Sequence, residues 1–114
     1  MKTEVEQESN STVVRVTGSV DALTTAELSK ILTEQIMQGH ANLIVDLIGV
    51  EFMSSAGLRT LLGAVKEARS NGGDLRITST NPGVDKVLRM SGFHNIAKVF
   101  DSSDEAVSSF GHGG

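Results

Sequence analysis

Apolar positions along the chain switch between two periods, and the switches mark out its elements. Thr12-Val13-Val14-Arg15-Val16-Thr17 is β-branched and predicts a strand. Residues 2–8, polar apart from Val5, predict an edge strand, and the Asn10-Ser11 turn joins the two as a hairpin. Gly18 to Leu23 reads as a loop. Leu28, Ile31, Leu32 and Ile36 then recur at helical spacing, with Thr24 and Glu27 related as a capping box and Gly39 as the stop. Leu43-Ile44-Val45-Asp46-Leu47 is the most apolar run and suits a strand covered on both faces. Ile48 to Met53 reads as a short connection. Leu58, Leu61, Leu62 and Val65 form the next helical stripe, which Asn71-Gly72-Gly73 ends.

A further strand is predicted over Asp74–Ser79 around Leu75 and Ile77. Asn81-Pro82 starts a helix, with Asn as cap, Pro in the first turn and Gly92 as the C-terminal cap. Ile96–Phe100 predicts a last short strand, and Ser102-Ser103-Asp104-Glu105 opens a final helix carrying Ala106, Val107 and Phe110. Residues 111–114 read as a flexible tail. The order β-β-α-β-α-β-α-β-α predicts one α/β domain over residues 1–114. Its sheet is expected to be mixed and mostly parallel, of about five strands with about four helices, joined by right-handed crossovers.

Composition narrows the function classes. Ten Lys and Arg against fourteen Asp and Glu give a net charge of −4, without the basic footprint of a nucleic-acid binder. Four Phe and no Tyr or Trp provide no base-stacking platform. No apolar run approaches the roughly 20 residues of a membrane span, and no secretory signal pattern precedes the first strand, so a cytoplasmic protein without membrane insertion is expected. The chain has no cysteine, and His40, His94 and His112 are scattered without metal-ligand spacing, so no metal or cofactor is expected.

The candidate chemistry gathers where Leu43–Leu47 gives way to the second helix. Ser54 and Ser55 stand at that helix start, where free N–H groups and the helix dipole suit an anionic group. Read locally, they are an ordinary helix cap before they are a site. A nucleophile elbow would need a leading glycine that Met53-Ser54-Ser55-Ala56-Gly57 lacks, and nothing in the sequence places His94 near Ser55. No phosphate-cradling Gly-x-x-x-x-Gly-Lys motif is present. Asp21, between a strand and a capped helix, reads locally as an acidic residue favoured near a helix N-terminus. Asp46 reads as a hydrogen-bonded structural carboxylate.

Four blocks carry a wider likeness: Gly18-Ser19-Val20-Asp21-Ala22, Val45 through Arg59, Gly72-Gly73-Asp74-Leu75, and Leu88-Arg89-Met90-Ser91-Gly92-Phe93. In this order and spacing they resemble the STAS domain family, specifically its stand-alone bacterial anti-sigma factor antagonists, over about Val14 to Val107. The resemblance implies a STAS-type fold, no enzymatic activity and a partner-switching role. The unphosphorylated form would bind an anti-sigma factor serine/threonine kinase and so free a sigma factor. Phosphorylation of one serine at the start of the second helix would end that binding, and a metal-dependent serine/threonine phosphatase would restore it.

Family members similar to this chain show Asp-Ser-Ser-Gly-Leu or Asp-Ser-Thr-Gly-Leu at that point. Alignment on Gly57-Leu58 places Ser54 at the Asp position, Ser55 at the phosphorylated serine and Ala56 at the second hydroxyl residue. The resemblance thus implies Ser55 as acceptor, with Ser54 a competing hydroxyl, and a partner-binding surface of Asp21, Ser54, Ser55, Ala56, Gly57 and Arg59. The departures are the charge lost at Ser54 and the hydroxyl lost at Ala56. Two alternatives stay open: a non-switching STAS adaptor of a transporter, such as a lipid-transport ATPase, or of a sensory assembly; and a small nucleotide or anion bound at the Ser55 helix end.

Overall fold

The computed structural model describes residues 1–79 and 81–111. The elements are β1 (Lys2–Gln7), β2 (Thr12–Val20), α1 (Thr25–Met37), β3 (Asn42–Met53), α2 (Ser55–Ser70), β4 (Asp74–Thr78), α3 (Pro82–Met90), β5 (Val99–Phe100) and α4 (Ser103–Ser109). They form one five-stranded sheet in the order β1-β2-β3-β4-β5. The β1–β2 hairpin is antiparallel and every other pairing is parallel, as the alternation of apolar periods predicts. His112 and most of the tail expected at 111–114 lie outside the described residues; the Gly111 carbonyl accepts a 2.8 Å hydrogen bond from Asn10 Nδ2.

Sequential strand order has a consequence for the layers. Each right-handed crossover moves one strand along in the same direction, so α1, α2 and α3 all land on one face. There Leu28, Leu32, Leu61, Val65, Val84 and Leu88 close over Val14, Leu43, Val45, Leu47, Leu75 and Ile77. The opposite face has its own small cluster, in which Ala106 and Val107 of α4 and Phe110 just past its end cover Val13 and Ile44. This division explains the unbroken apolar run: alternate residues of Leu43–Leu47 point into different layers.

Asp46 is the polar member of that run. Its Oδ2 accepts from Ser103 Oγ at 2.8 Å, its Oδ1 accepts from the Ile48 N–H at 3.0 Å, and Arg15 Nε lies 3.6 Å away. It is a structural carboxylate that ties β2, β3 and the start of α4 together, as a buried charge requires.

Four expectations need correction. β2 and β3 do not stop at Thr17 and Leu47; they run on to Val20 and Met53 as a continued parallel pair. Two register shifts disguise this extension. Arg15 faces Asp46 but Thr17 faces Gly49, and Gly18 faces Val50 but Ser19 faces Phe52. Each shift places an extra residue on β3, so the buried positions become Leu47, Val50 and Met53, a spacing that fits neither a regular strand nor a helix. At the first shift the Ile48 N–H bonds the Asp46 carboxylate.

The capping box at α1 does not form. Thr24 Oγ1 donates to the Ser19 carbonyl at 3.1 Å and accepts from the Asp21 N–H at 3.0 Å, so it serves the preceding turn and gives the helix no side-chain cap. The last strand begins only at Val99, because Phe93–Asn95 winds into a 3-10 turn after Gly92. β4 ends at Thr78, one residue short of the predicted Ser79. Other local signals hold. Asn81 Oδ1 accepts from the Gly83 and Val84 N–H groups, and Gly39 follows α1 at φ +90°.

The amino end of β4 is held by charge. Asp74 accepts from Arg69 Nε at 3.0 Å and Arg76 Nε at 3.1 Å, and Arg76 also stacks 3.9 Å from the Phe110 ring of α4. Burial alone would raise the Asp74 carboxyl; the bonds from Arg76 and Arg69 outweigh it and hold the group below its ordinary value. A depressed carboxyl stabilises the fold above its unfolded pKa, and that contribution is lost as pH falls through the folded value. Asp74→Asn is therefore expected to cost roughly 1–2 kcal/mol at neutral pH, with the gap to wild type narrowing as pH drops below about 4. Urea denaturation across pH checks this, and a gap that does not change between neutral and acid pH would contradict it.

Candidate functional site

The extended β2–β3 pair brings two loops together at one edge of the sheet. Val20 pairs with Met53, and the Ser54 N–H donates to the Val20 carbonyl at 2.9 Å. Asp21 and Ser54 are thus the first residues past two adjacent strand ends. The structure unites the β2–α1 turn with the start of α2.

The two serines have different jobs. Ser54 is the N-cap of α2, extended at φ −86° and ψ 170°, and its Oγ accepts from the Gly57 N–H at 3.2 Å. Ser55 is the first helical residue and is exposed; among the described residues none hydrogen-bonds its hydroxyl. The first turn of α2 contains no acidic side chain, so its positive end is uncompensated. Ser54 supplies the capping oxygen without adding a charge.

Gly57 is required by packing. A Cβ there would stand 2.8 Å from Val20 Cγ1 and 3.2 Å from the Val20 carbonyl oxygen. The first turn of α2 lies directly on the end of β2, and this contact sets the height of Ser55 above the sheet edge. Asp21 is half-buried, and its Oδ1 accepts from the Leu23 N–H at 2.9 Å and lies 3.3 Å from Thr24 Oγ1. Its carboxylate shapes the β2–α1 turn. Ala56 and Arg59 line a groove of about 490 Å³ between α1 and α2, together with Thr25, Ser29, Thr60 and Glu67.

Two surface residues escaped the sequence reading. Leu23, two positions after Asp21, is 93% exposed, and Phe52, two positions before Ser54, is 54% exposed. Leu23 sits in a loop where hydropathy carries no period. Phe52 lies in a stretch that reads as a connection until the register shifts are known. His94 stands near Asp85 of α3, its Nε2 3.2 Å from Oδ1.

Fold and site together define a small parallel-sheet domain that presents a serine-bearing helix start as its surface feature. The chain belongs to the STAS domain family, which matches residues 2–106. It is 28% identical over 95% of its length to an anti-sigma F factor antagonist of Paenibacillus polymyxa, covering 93% of that protein. It is 32% identical over 82% of its length to a putative anti-sigma factor antagonist, BtrV, of Bordetella bronchiseptica, covering 80% of it. The fold is shared with the Bacillus cell fate determinant SpoIIAA in its phosphorylated form, at a TM-score of 0.73 and 22% identity, covering 95% of this chain and 98% of that one.

The division between the serines has a measurable signature. Ser54→Ala is expected to lower stability by about 1 kcal/mol through loss of the cap, whereas Ser55→Ala should stay within about 0.5 kcal/mol of wild type. Gly57→Ala should cost roughly 1–3 kcal/mol through overpacking against Val20. Chemical denaturation of the three variants checks this; equal losses at Ser54 and Ser55 would reject the assignment of the cap.

Proposed function

We propose that this protein is an anti-sigma factor antagonist, a regulatory binding protein of the cytoplasm whose switch is phosphorylation of Ser55. The unphosphorylated form binds an anti-sigma factor that is also a serine kinase, and the sigma factor is released. The kinase transfers the γ-phosphoryl group of ATP to Ser55 Oγ, releasing ADP and the hydroxyl proton, and a metal-dependent phosphatase hydrolyses the phosphoserine. The reading rests above all on one observation: the cap is made by Ser54, so the exposed Ser55 hydroxyl is free to be modified without unmaking the helix. The names of the relatives support it.

The physics of the switch follows from where the phosphate goes. Phosphorylation adds about −1.5 to −2 charges at neutral pH. The end of α2 offsets this by roughly 0.3–1 kcal/mol at an exposed position, so the helix survives. In a partner interface the same group must shed water beside Asp21, and each ~1.4 kcal/mol of that penalty weakens binding tenfold. The docking surface is the edge formed by Asp21, Ser54, Ser55, Ala56 and Arg59, with Leu23 and Phe52 as apolar contacts at its flanks; Gly57, expected to belong to it, is instead buried against Val20 and supports the edge from beneath.

Affinity capture from the source cells, with mass spectrometry of partners and phosphopeptides, tests this reading. The expected outcome is recovery of a kinase-type anti-sigma factor and phosphate on Ser55. Phosphate on Ser54 alone would refute the acceptor assignment. Recovery of transporter or sensory subunits, with neither serine modified, would favour the non-switching adaptor. Ser55→Asp should weaken the captured partner at least tenfold in calorimetry with little change in thermal stability, and Ser55→Ala should bind as wild type does.

A further inference from the structure

The groove between α1 and α2 carries a single cation among the described residues that line it. Its α1 wall is made of Thr25, Ser29 and Thr33, hydroxyl side chains without charge. On α2 the charged members are Arg59 and Glu67. Arg59 is exposed and forms no ion pair among the described residues. Glu67 stands eight residues further along α2, about 12 Å along the helix axis, where its Oε2 lies 3.5 Å from Thr33 Oγ1 of α1. The guanidinium therefore has no anion beside it in the unmodified protein.

The residue one turn before Arg59 is Ser55. Positions four apart in a helix are neighbours on one face, separated by about 6 Å along the axis. Side chains on a helix lean toward its N-terminus, so a long side chain at position 59 reaches back over the turn that carries Ser55. An anion placed N-terminal to a cation at this spacing is the favourable order. Ser54 does not share the relation. It is the cap, outside the helix, and its Oγ is turned to the Gly57 N–H at 3.2 Å. Free N–H groups belong to any helix start; what this one adds is an unpaired guanidinium at the right spacing from one of two serines.

We propose that Arg59 is the internal receptor of the phosphate on Ser55. The pairing rests on the reading of Ser55 as acceptor. A serine hydroxyl gives the guanidinium little to hold, so in the unmodified protein Arg59 faces solvent and is open to a partner carboxylate. A phosphoserine offers three acceptor oxygens, and arginine takes such a group with two parallel hydrogen bonds. Phosphorylation then does two things to the docking edge: it adds a dianion, and it engages the cation of the groove. The partner loses an attraction as well as meeting a repulsion.

The full chain with phosphoserine inserted at position 55 during translation tests the pairing without any kinase. The second ionisation of phosphoserine ordinarily lies near pH 6. Followed by phosphorus NMR, it should fall about 0.5 unit lower with Arg59 than in Arg59→Gln, roughly a threefold change in proton affinity. Lys66→Gln removes the same charge from an exposed position eleven residues from Ser55 on the same helix. That is about 16 Å along the axis, beyond the Debye length of about 8 Å at physiological salt, so this variant should titrate as the unsubstituted chain does. The Arg59 Nε–H signal should shift on phosphorylation and follow the titration of the phosphate. Equal titration with and without Arg59, an equal effect of Lys66→Gln, or an Arg59 signal indifferent to the phosphate would each overturn the pairing. Such a failure rejects the pairing alone, because the acceptor is judged separately by the phosphopeptides recovered from cells.

Discussion

The parallel pairing of β2 with β3 beyond its two register shifts is the constraint on which the rest of the molecule depends. Without it, the chain after Val16 and the chain after Leu47 would be two separate loops. With it, Val20 and Met53 finish side by side, and the Val20 carbonyl takes the Ser54 N–H. The same valine sets the closest approach of α2, because Gly57 leaves no room for a methyl group. A hydrogen bond and a missing side chain thus set where the start of α2 stands relative to Asp21.

The unequal faces of the sheet follow from strand order. Right-handed crossovers in one direction load three helices onto one layer and leave the other to α4 alone. A helix of seven residues is too short to be stable by itself, and polar bonds secure it at both ends. Ser103 holds its start to Asp46, and Arg76 reaches Ser109 Oγ at 2.7 Å and the Phe110 ring at its end. The open remainder of that face carries the Arg15–Glu6 ion pair at 3.0 Å, and the bond with Glu6 raises the Arg15 guanidinium above its ordinary value. Exposed charge of this kind contributes little stability but keeps bare sheet soluble.

At the start of α2, capping and exposure fall to two adjacent residues. Ser54 supplies the capping oxygen, so the Ser55 side chain takes no part in capping the helix. The Ser55 side chain lies at the surface, and the core beneath this turn is led by Leu58 and Leu61.

Much of this was legible in the chain itself. The alternation of apolar periods determined the element order, the mostly parallel sheet and the polar role of Asp46, because burial leaves a period of two or 3.6 in the sequence. Asn81-Pro82 and Gly39 marked helix ends through local chemistry alone. Tertiary structure decided what depends on a partner strand or helix far away in sequence. The shifts that carry β3 through Ile48–Met53 are invisible without β2 beside it, and Thr24 turned from cap to turn-holder because Ser19 and Asp21 lie within reach. The sequence by itself determined that two serines begin α2; only the fold, through the geometry of the cap and the contact of Gly57 with Val20, decided that Ser54 is spent on the helix and Ser55 is left to the surface.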